Sequence, residues 1–168
     1  GLVIFPGLLG MWTVTLLLKP VVVMAHLLGG MTTLALLWWL SLSPPTADSG
    51  RHRLASLALA GVAVVIVQIA LGGWTSTNYA ALSCGDFPTC QGSWIPEMDF
   101  GEAFVMWRGL GVNYEYGVLE TPARTAIHVT HRIGALVTFI YLGWLVLGIL
   151  RAGMGMTGAA LLVGGLLL

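Results

Sequence analysis

From Val21 to Leu42 the chain runs 22 residues without one charged side chain, and His26 is the only ionisable group in the stretch. As a helix rising 1.5 Å per residue, such a run is about 33 Å long, close to the ~30 Å hydrocarbon core of a bilayer. A helix of that length that is apolar all round suits lipid, because in water it would have to be covered on every side. Leu2 to Leu18 repeats the pattern and is closed by Lys19-Pro20. Leu54 to Thr77 repeats it again. A further span, Ala123 to Leu150, follows Thr121-Pro122, which pairs a capping residue with a proline at the first helical position. Only 8% of residues are charged and mean hydropathy is +0.90, whereas an ordinary soluble domain carries about a quarter charged residues. The expected fold is therefore all-α and integral to a membrane, an antiparallel transmembrane helix bundle surrounded by lipid. A formal net charge of zero gives nucleic acid no basis as a partner.

The organisation follows from the breaks between runs. Residues 1–43 hold a first helix, expected to be partial, and a second one, and residues 44–53 (PPTADSGRHR) form a polar connector. Residues 54–168 hold spans at 54–77 and 123–150 and a final apolar stretch, 155–168, too short for the ~20 residues a spanning helix needs. Apolar runs at both ends make the chain look like an internal piece of a longer protein, truncated at each end. Residues 78–122 differ in character, with both cysteines and six of the seven acidic residues, and are expected to lie outside the bilayer. Lys and Arg in short loops stay on the cytoplasmic side. Arg51, Arg53 and Arg151 stand against Lys19 alone at the other end, so loop 78–122 is expected to be extracytoplasmic, at the cell's inner (plasma) membrane. A Cys84–Cys90 disulfide closing a small loop suits that oxidising side. Gly101 to Gly111 mixes Phe104, Met106 and Trp107 with Glu102 and Arg108, the pattern of a short interfacial helix.

Part of the chain is echoed. Leu9-Gly10-Met11-Trp12-Thr13-Val14-Thr15 agrees at five of seven positions with Leu71-Gly72-Gly73-Trp74-Thr75-Ser76-Thr77. Interfaces favour Trp in any case, and small residues let helices approach. Yet the following helices also share a His and a Gly, in His26-Leu27-Leu28-Gly29 and His131-Arg132-Ile133-Gly134. A duplicated hairpin with two pseudo-symmetric sites is expected.

His26 and His131 fall about six and eight residues into their spans, at depths of roughly 9 and 12 Å. Ionisable groups there are costly and by default functional. A neutral imidazole satisfied by a neighbouring helix is the bland explanation for either one. Two at matched depth in repeated hairpins favour a haem ligand, since facing helices build cofactor sites in bundle cores. Zinc is less suitable because no carboxylate or thiolate accompanies them in the spans. His128 shares a face with His131, but one helix cannot supply both axial ligands of a single haem. His131 is thus the expected ligand and His128 its supporting partner. Arg132, Arg124 and Arg108, near the outer end, would suit haem propionates, while an interfacial anchoring role fits Arg124 equally well. His52, between Arg51 and Arg53, is expected to be solvated.

Gln68-Ile69-Ala70-Leu71-Gly72-Gly73-Trp74-Thr75, Asn78-Tyr79-Ala80, Cys84-Gly85-Asp86-Phe87-Pro88-Thr89-Cys90 and His128-Val129-Thr130-His131-Arg132-Ile133-Gly134 occur in this order. In that order they resemble the heme A synthase family, over the whole chain. The resemblance implies an eight-helix bundle of two similar four-helix halves, of which this chain would supply the third to sixth helices and the start of the seventh. It implies oxidation of a methyl group of haem O to the formyl group of haem A, for terminal oxidases. By that pattern His26 corresponds to a ligand of the substrate haem, and His131 to a ligand of a haem B cofactor. By the same resemblance the family's catalytic acid, on a Glu-x-x-His-Arg helix of the first half, would lie before Gly1, and His128 stands in its matching position in the second half. The partners implied are haem O, the haem O synthase and an electron donor. A bis-histidine b-type cytochrome that only passes electrons would use the same ligands. A transporter would need charged groups along a midplane path, and the spans contain no carboxylate.

Overall fold

The computed structural model describes residues 4–41 and 52–151. The final apolar stretch and most of the polar connector, Arg51 included, lie outside the described residues. So do the side chains of His52 and Arg53. Among the described residues five helices occur in the order α1 (Ile4–Thr15), α2 (Pro20–Ser41), α3 (His52–Thr77), α4 (Phe100–Ala103) and α5 (Thr121–Arg151). The long helices pack as a row, α1 on α2, α2 on α3 and α3 on α5, with the single turn α4 against α5. Three of them are long and apolar enough to cross a membrane: Pro20–Ser41, Ser56–Thr77 and Thr121–Arg151. Their outward surfaces remain apolar, with Leu37, Trp39, Leu59, Val67, Phe139 and Ile140 all exposed, as a lipid-facing bundle requires. The described residues thus form an all-helical, multi-pass membrane bundle.

The first helix is shorter than the apolar run from Leu2 to Leu18 suggests. It closes at Thr15 because Leu17 and Leu18 turn left-handed, at φ 53° and 59°. The Leu18 N–H then donates to the Thr13 carbonyl (2.9 Å) and the Leu17 N–H to that of Val14 (3.1 Å), a Schellman closure. The third helix ends in the same way. The Ala80 N–H donates to the Thr75 carbonyl (2.9 Å), the Tyr79 N–H donates to that of Ser76 (3.1 Å), and Tyr79 is left-handed. Thr13 and Thr75 are matched positions of the sequence echo, so the duplication extends to how the helix is terminated. Glycine, the usual residue for this conformation, stands at neither position, and a leucine or tyrosine there costs roughly 1–2 kcal/mol.

The loop between α3 and α5 is a folded cap. Cys84 and Cys90 are joined by a disulfide, with Cα atoms 4.6 Å apart. Asp86 sits inside that ring and accepts from the Thr89 hydroxyl and from the N–H groups of Gln91 (2.7 Å) and Gly92 (3.0 Å). Trp74, the echo's second tryptophan, is buried and donates from Nε1 to the Ala103 carbonyl at 2.9 Å. Around it Ala80, Ala103, Leu119, Ala123, Ala126 and Ile127 form a small core that seats the loop on α5. The interfacial helix expected over Gly101–Gly111 is only the turn α4, capped by Asp99. Beyond it Gly109 and Gly111 adopt positive φ, and Trp107 instead covers Lys19, whose Nζ lies 3.2 Å from the ring centroid and donates to the Gly109 carbonyl.

Candidate functional site

Two imidazoles occupy matched seats. His26 on α2 packs against Gly10 of α1, where a Cβ would stand 3.1 Å from the ring's Cε1, and His131 on α5 packs against Gly72 of α3, where the distance would be 3.2 Å. Gly10 and Gly72 are the shared glycines of the echo. In each hairpin, the absence of a side chain lets the ring reach the neighbouring backbone. The residue four positions before each glycine meets the ring's Nδ1. In the first hairpin this is the Pro6 carbonyl, 2.9 Å from His26 Nδ1; in the second it is Gln68, whose Nε2 lies 3.0 Å from His131 Nδ1. Gly29 lies against Pro6 and Gly134 against Gln68, so the third residue after each histidine also has the same role. Consecutive Gly72 and Gly73 let α3 be approached from two sides. Gly73 faces Met24 and Leu27 of α2 while Gly72 faces His131, which sets the two histidine-bearing helices at one level on α3.

A carbonyl only accepts, so the His26 Nδ1 carries the proton and its Nε2 keeps a free lone pair, the form that binds a metal. His26 is exposed along an apolar groove of about 500 Å³ that also runs past Val23, Gly30, Met31 and Gly73. Among the described residues no three His, Cys, Asp or Glu side chains gather as a metal-ion site. Each imidazole could therefore act as an axial donor to a group that supplies its own remaining ligands. Haem fits that requirement, and His26, with Nδ1 held by the Pro6 carbonyl and Nε2 free, is in the form it takes.

The remaining candidate residues are bonded to the loop or to their own helix end. His128 Nδ1 donates to the Ala80 carbonyl at 2.9 Å, and Gln91 Nε2 donates to the Thr125 hydroxyl at 3.0 Å. Arg132 donates from Nη1 to the Thr89 carbonyl (2.9 Å) and from Nη2 to that of Cys84 (3.0 Å), bracing both sides of the disulfide ring. Arg124 Nε donates to the Leu119 carbonyl at 2.7 Å, and Arg108 pairs with Glu102 at 2.6 Å. The loop thus reaches along α5 as far as Arg132. His131, next to Arg132, therefore stands at the level that the folded loop reaches.

Gln68, whose side chain meets the His131 ring, does not stand out residue by residue, although the family motif begins with it. Its signal was present: it is the one polar residue from Leu57 to Leu71, where an unpartnered polar group is expensive.

Taken together, the fold and the seats describe a membrane helix bundle with a duplicated histidine-bearing hairpin suited to haem. The chain belongs to the cytochrome oxidase assembly protein family, which it matches along residues 1–168. It is 47% identical over 142 residues, 82% of its length, to the heme A synthase of Shewanella oneidensis. The chain spans 43% of that relative, less than half. No solved structure matches it.

Proposed function

We propose that the protein to which this chain belongs is a heme A synthase, oxidising a methyl group of haem O to the formyl group of haem A for terminal oxidase assembly. The observation that carries this reading is the seating of His26 and His131 at one register of a duplicated hairpin, each against a helix glycine and each with Nδ1 occupied. In this reading His131 would hold a haem B cofactor and His26 would hold the haem being oxidised. Haem iron, when bound, supplies the redox chemistry. The chain's own contribution is position. Pro6 and Gly10 fix the His26 ring, Gln68 and Gly72 fix that of His131, and the disulfide loop, tied down by His128 and Arg132, shields the outer end of α5 from water. Arg124 and Arg132 would reach propionates with the N–H groups that the loop carbonyls leave over. The loop side would face outward, and the partners would be haem O with its synthase and an electron donor.

The test uses the complete protein. His131→Ala should lose the low-spin cofactor spectrum, while His26→Ala should keep it and lose haem A production. The measurement is the reduced-minus-oxidised spectrum of each variant together with its extracted haem types. If both variants keep cofactor haem and normal haem A yield, the ligand assignment is wrong.

A further inference from the structure

The two seats differ in one respect, the chemical nature of the group facing Nδ1. For His26 it is a backbone carbonyl, which can only accept. For His131 it is the Gln68 carboxamide, whose two ends are a donor and an acceptor that exchange places when the group turns about its last bond. As it stands, Gln68 Nε2 lies 3.0 Å from His131 Nδ1 and 3.3 Å from the His131 carbonyl. Gln68 Oε1 is buried and has no hydrogen-bond partner. An amide N–H facing Nδ1 requires that nitrogen to be the acceptor, which puts the ring's proton on Nε2 and closes the metal-binding position.

We infer that Gln68 is the positioning residue of His131, and that its carboxamide turns when haem binds so that Oε1 accepts from Nδ1–H. The turn brings a buried oxygen that lacks a partner onto a donor and leaves His131 Nε2 free for iron, at the cost of the longer contact from the amide nitrogen to the His131 carbonyl, and it moves that nitrogen into the space over Gly134. A Cβ at Gly134 would overlap the position now held by Oε1, so the glycine provides room for the amide. A hydrogen bond from Nδ1–H to an acceptor also makes the imidazole a stronger electron donor and favours the ferric state. His26 has its tautomer fixed by the backbone at all times, whereas His131 has one that follows the cofactor. This inference rests on the reading of His131 as a haem ligand.

The experiment measures haem content and midpoint potential of the low-spin haem in the complete protein for four variants. Gln68→Leu, which removes the acceptor, should raise the potential, and Gln68→Glu, a stronger acceptor, should lower it. Gly134→Ala, which leaves Gln68 and His131 intact but crowds the amide, should shift it in the same direction as Gln68→Leu. His131→Ala is the control for the underlying reading. If it keeps the low-spin haem, His131 is not a ligand and that reading fails. If it loses the haem while both Gln68 variants keep the parent potential, the ligand reading stands and the role given to Gln68 is overturned. Should Gln68→Leu lose haem, Gln68→Glu decides: a lowered potential supports the acceptor role, and an unshifted one, or equal loss of haem, refutes it.

Discussion

Replacing Gly72 with alanine tests the His131 seat without altering any polar group. The added Cβ would stand 3.2 Å from His131 Cε1 and 3.9 Å from both ring nitrogens. Carbon atoms pack best at about 3.5–4.0 Å, so the ring must retreat by about 0.3–0.8 Å. It is not free to do so, because Gln68 holds Nδ1 at 3.0 Å. Two effects oppose each other. Alanine is favoured over glycine in a helix interior by about 1 kcal/mol, and overpacking costs about 1–3 kcal/mol. Gly61→Ala, on the same helix, supplies the comparison, since a Cβ there meets Tyr141 and Leu145 side chains at an ordinary 3.4 Å. Gly61→Ala should thus be neutral or stabilising, and Gly72→Ala should be less stable than it by about 1–3 kcal/mol. Thermal unfolding in detergent reads the difference, and the low-spin haem spectrum of the complete protein should change for Gly72→Ala alone. If the two variants unfold alike and share the parent spectrum, the imidazole is not lodged against α3 and the site described here is wrong. The unfolding arm tests the seat even if His131 binds no haem.

Further consequences concern the cap and the topology. Lys19→Met should release the strap across the α1–α2 turn, at a cost of about 2–4 kcal/mol for a desolvated cation–π contact and a charged hydrogen bond, and should expose residues 104–118 to limited proteolysis; unchanged proteolysis would refute it. Asp86 is held below its ordinary value by the Thr89 hydroxyl and by the Gly92 and Gln91 amides, with burial opposing. Its contribution to loop order is therefore complete above the ordinary carboxylate range near pH 4 and lost as pH falls through its lower folded value. Amide exchange across residues 84–92 should be insensitive to pH between 5 and 7 once intrinsic rates are removed and should rise only in acid, and Asp86→Asn should abolish that acid step. A cysteine placed at position 51 should react with an impermeant label only from the cytoplasmic side, and one at position 94 only from outside.

The spans were legible in the sequence because a bilayer imposes a length that apolar runs such as Val21 to Leu42 report directly. The repeated hairpin, the disulfide and the two histidines were equally legible, since each depends on residue type and local spacing. The end of α1 was not, because two leucines adopt a left-handed turn that their own preferences oppose. Nor was the partner of Lys19, which is a ring and a carbonyl about 90 positions away. That Arg132 also braces the folded loop, through the Cys84 and Thr89 carbonyls more than 40 positions away, was not legible either. What only the tertiary structure decided is what each imidazole's second nitrogen meets. Pro6 and Gln68 are separated from their histidines by 20 and 63 residues, and it is helix packing across glycines, with no local pattern to announce it, that brings a fixed acceptor to one ring and a reversible amide to the other.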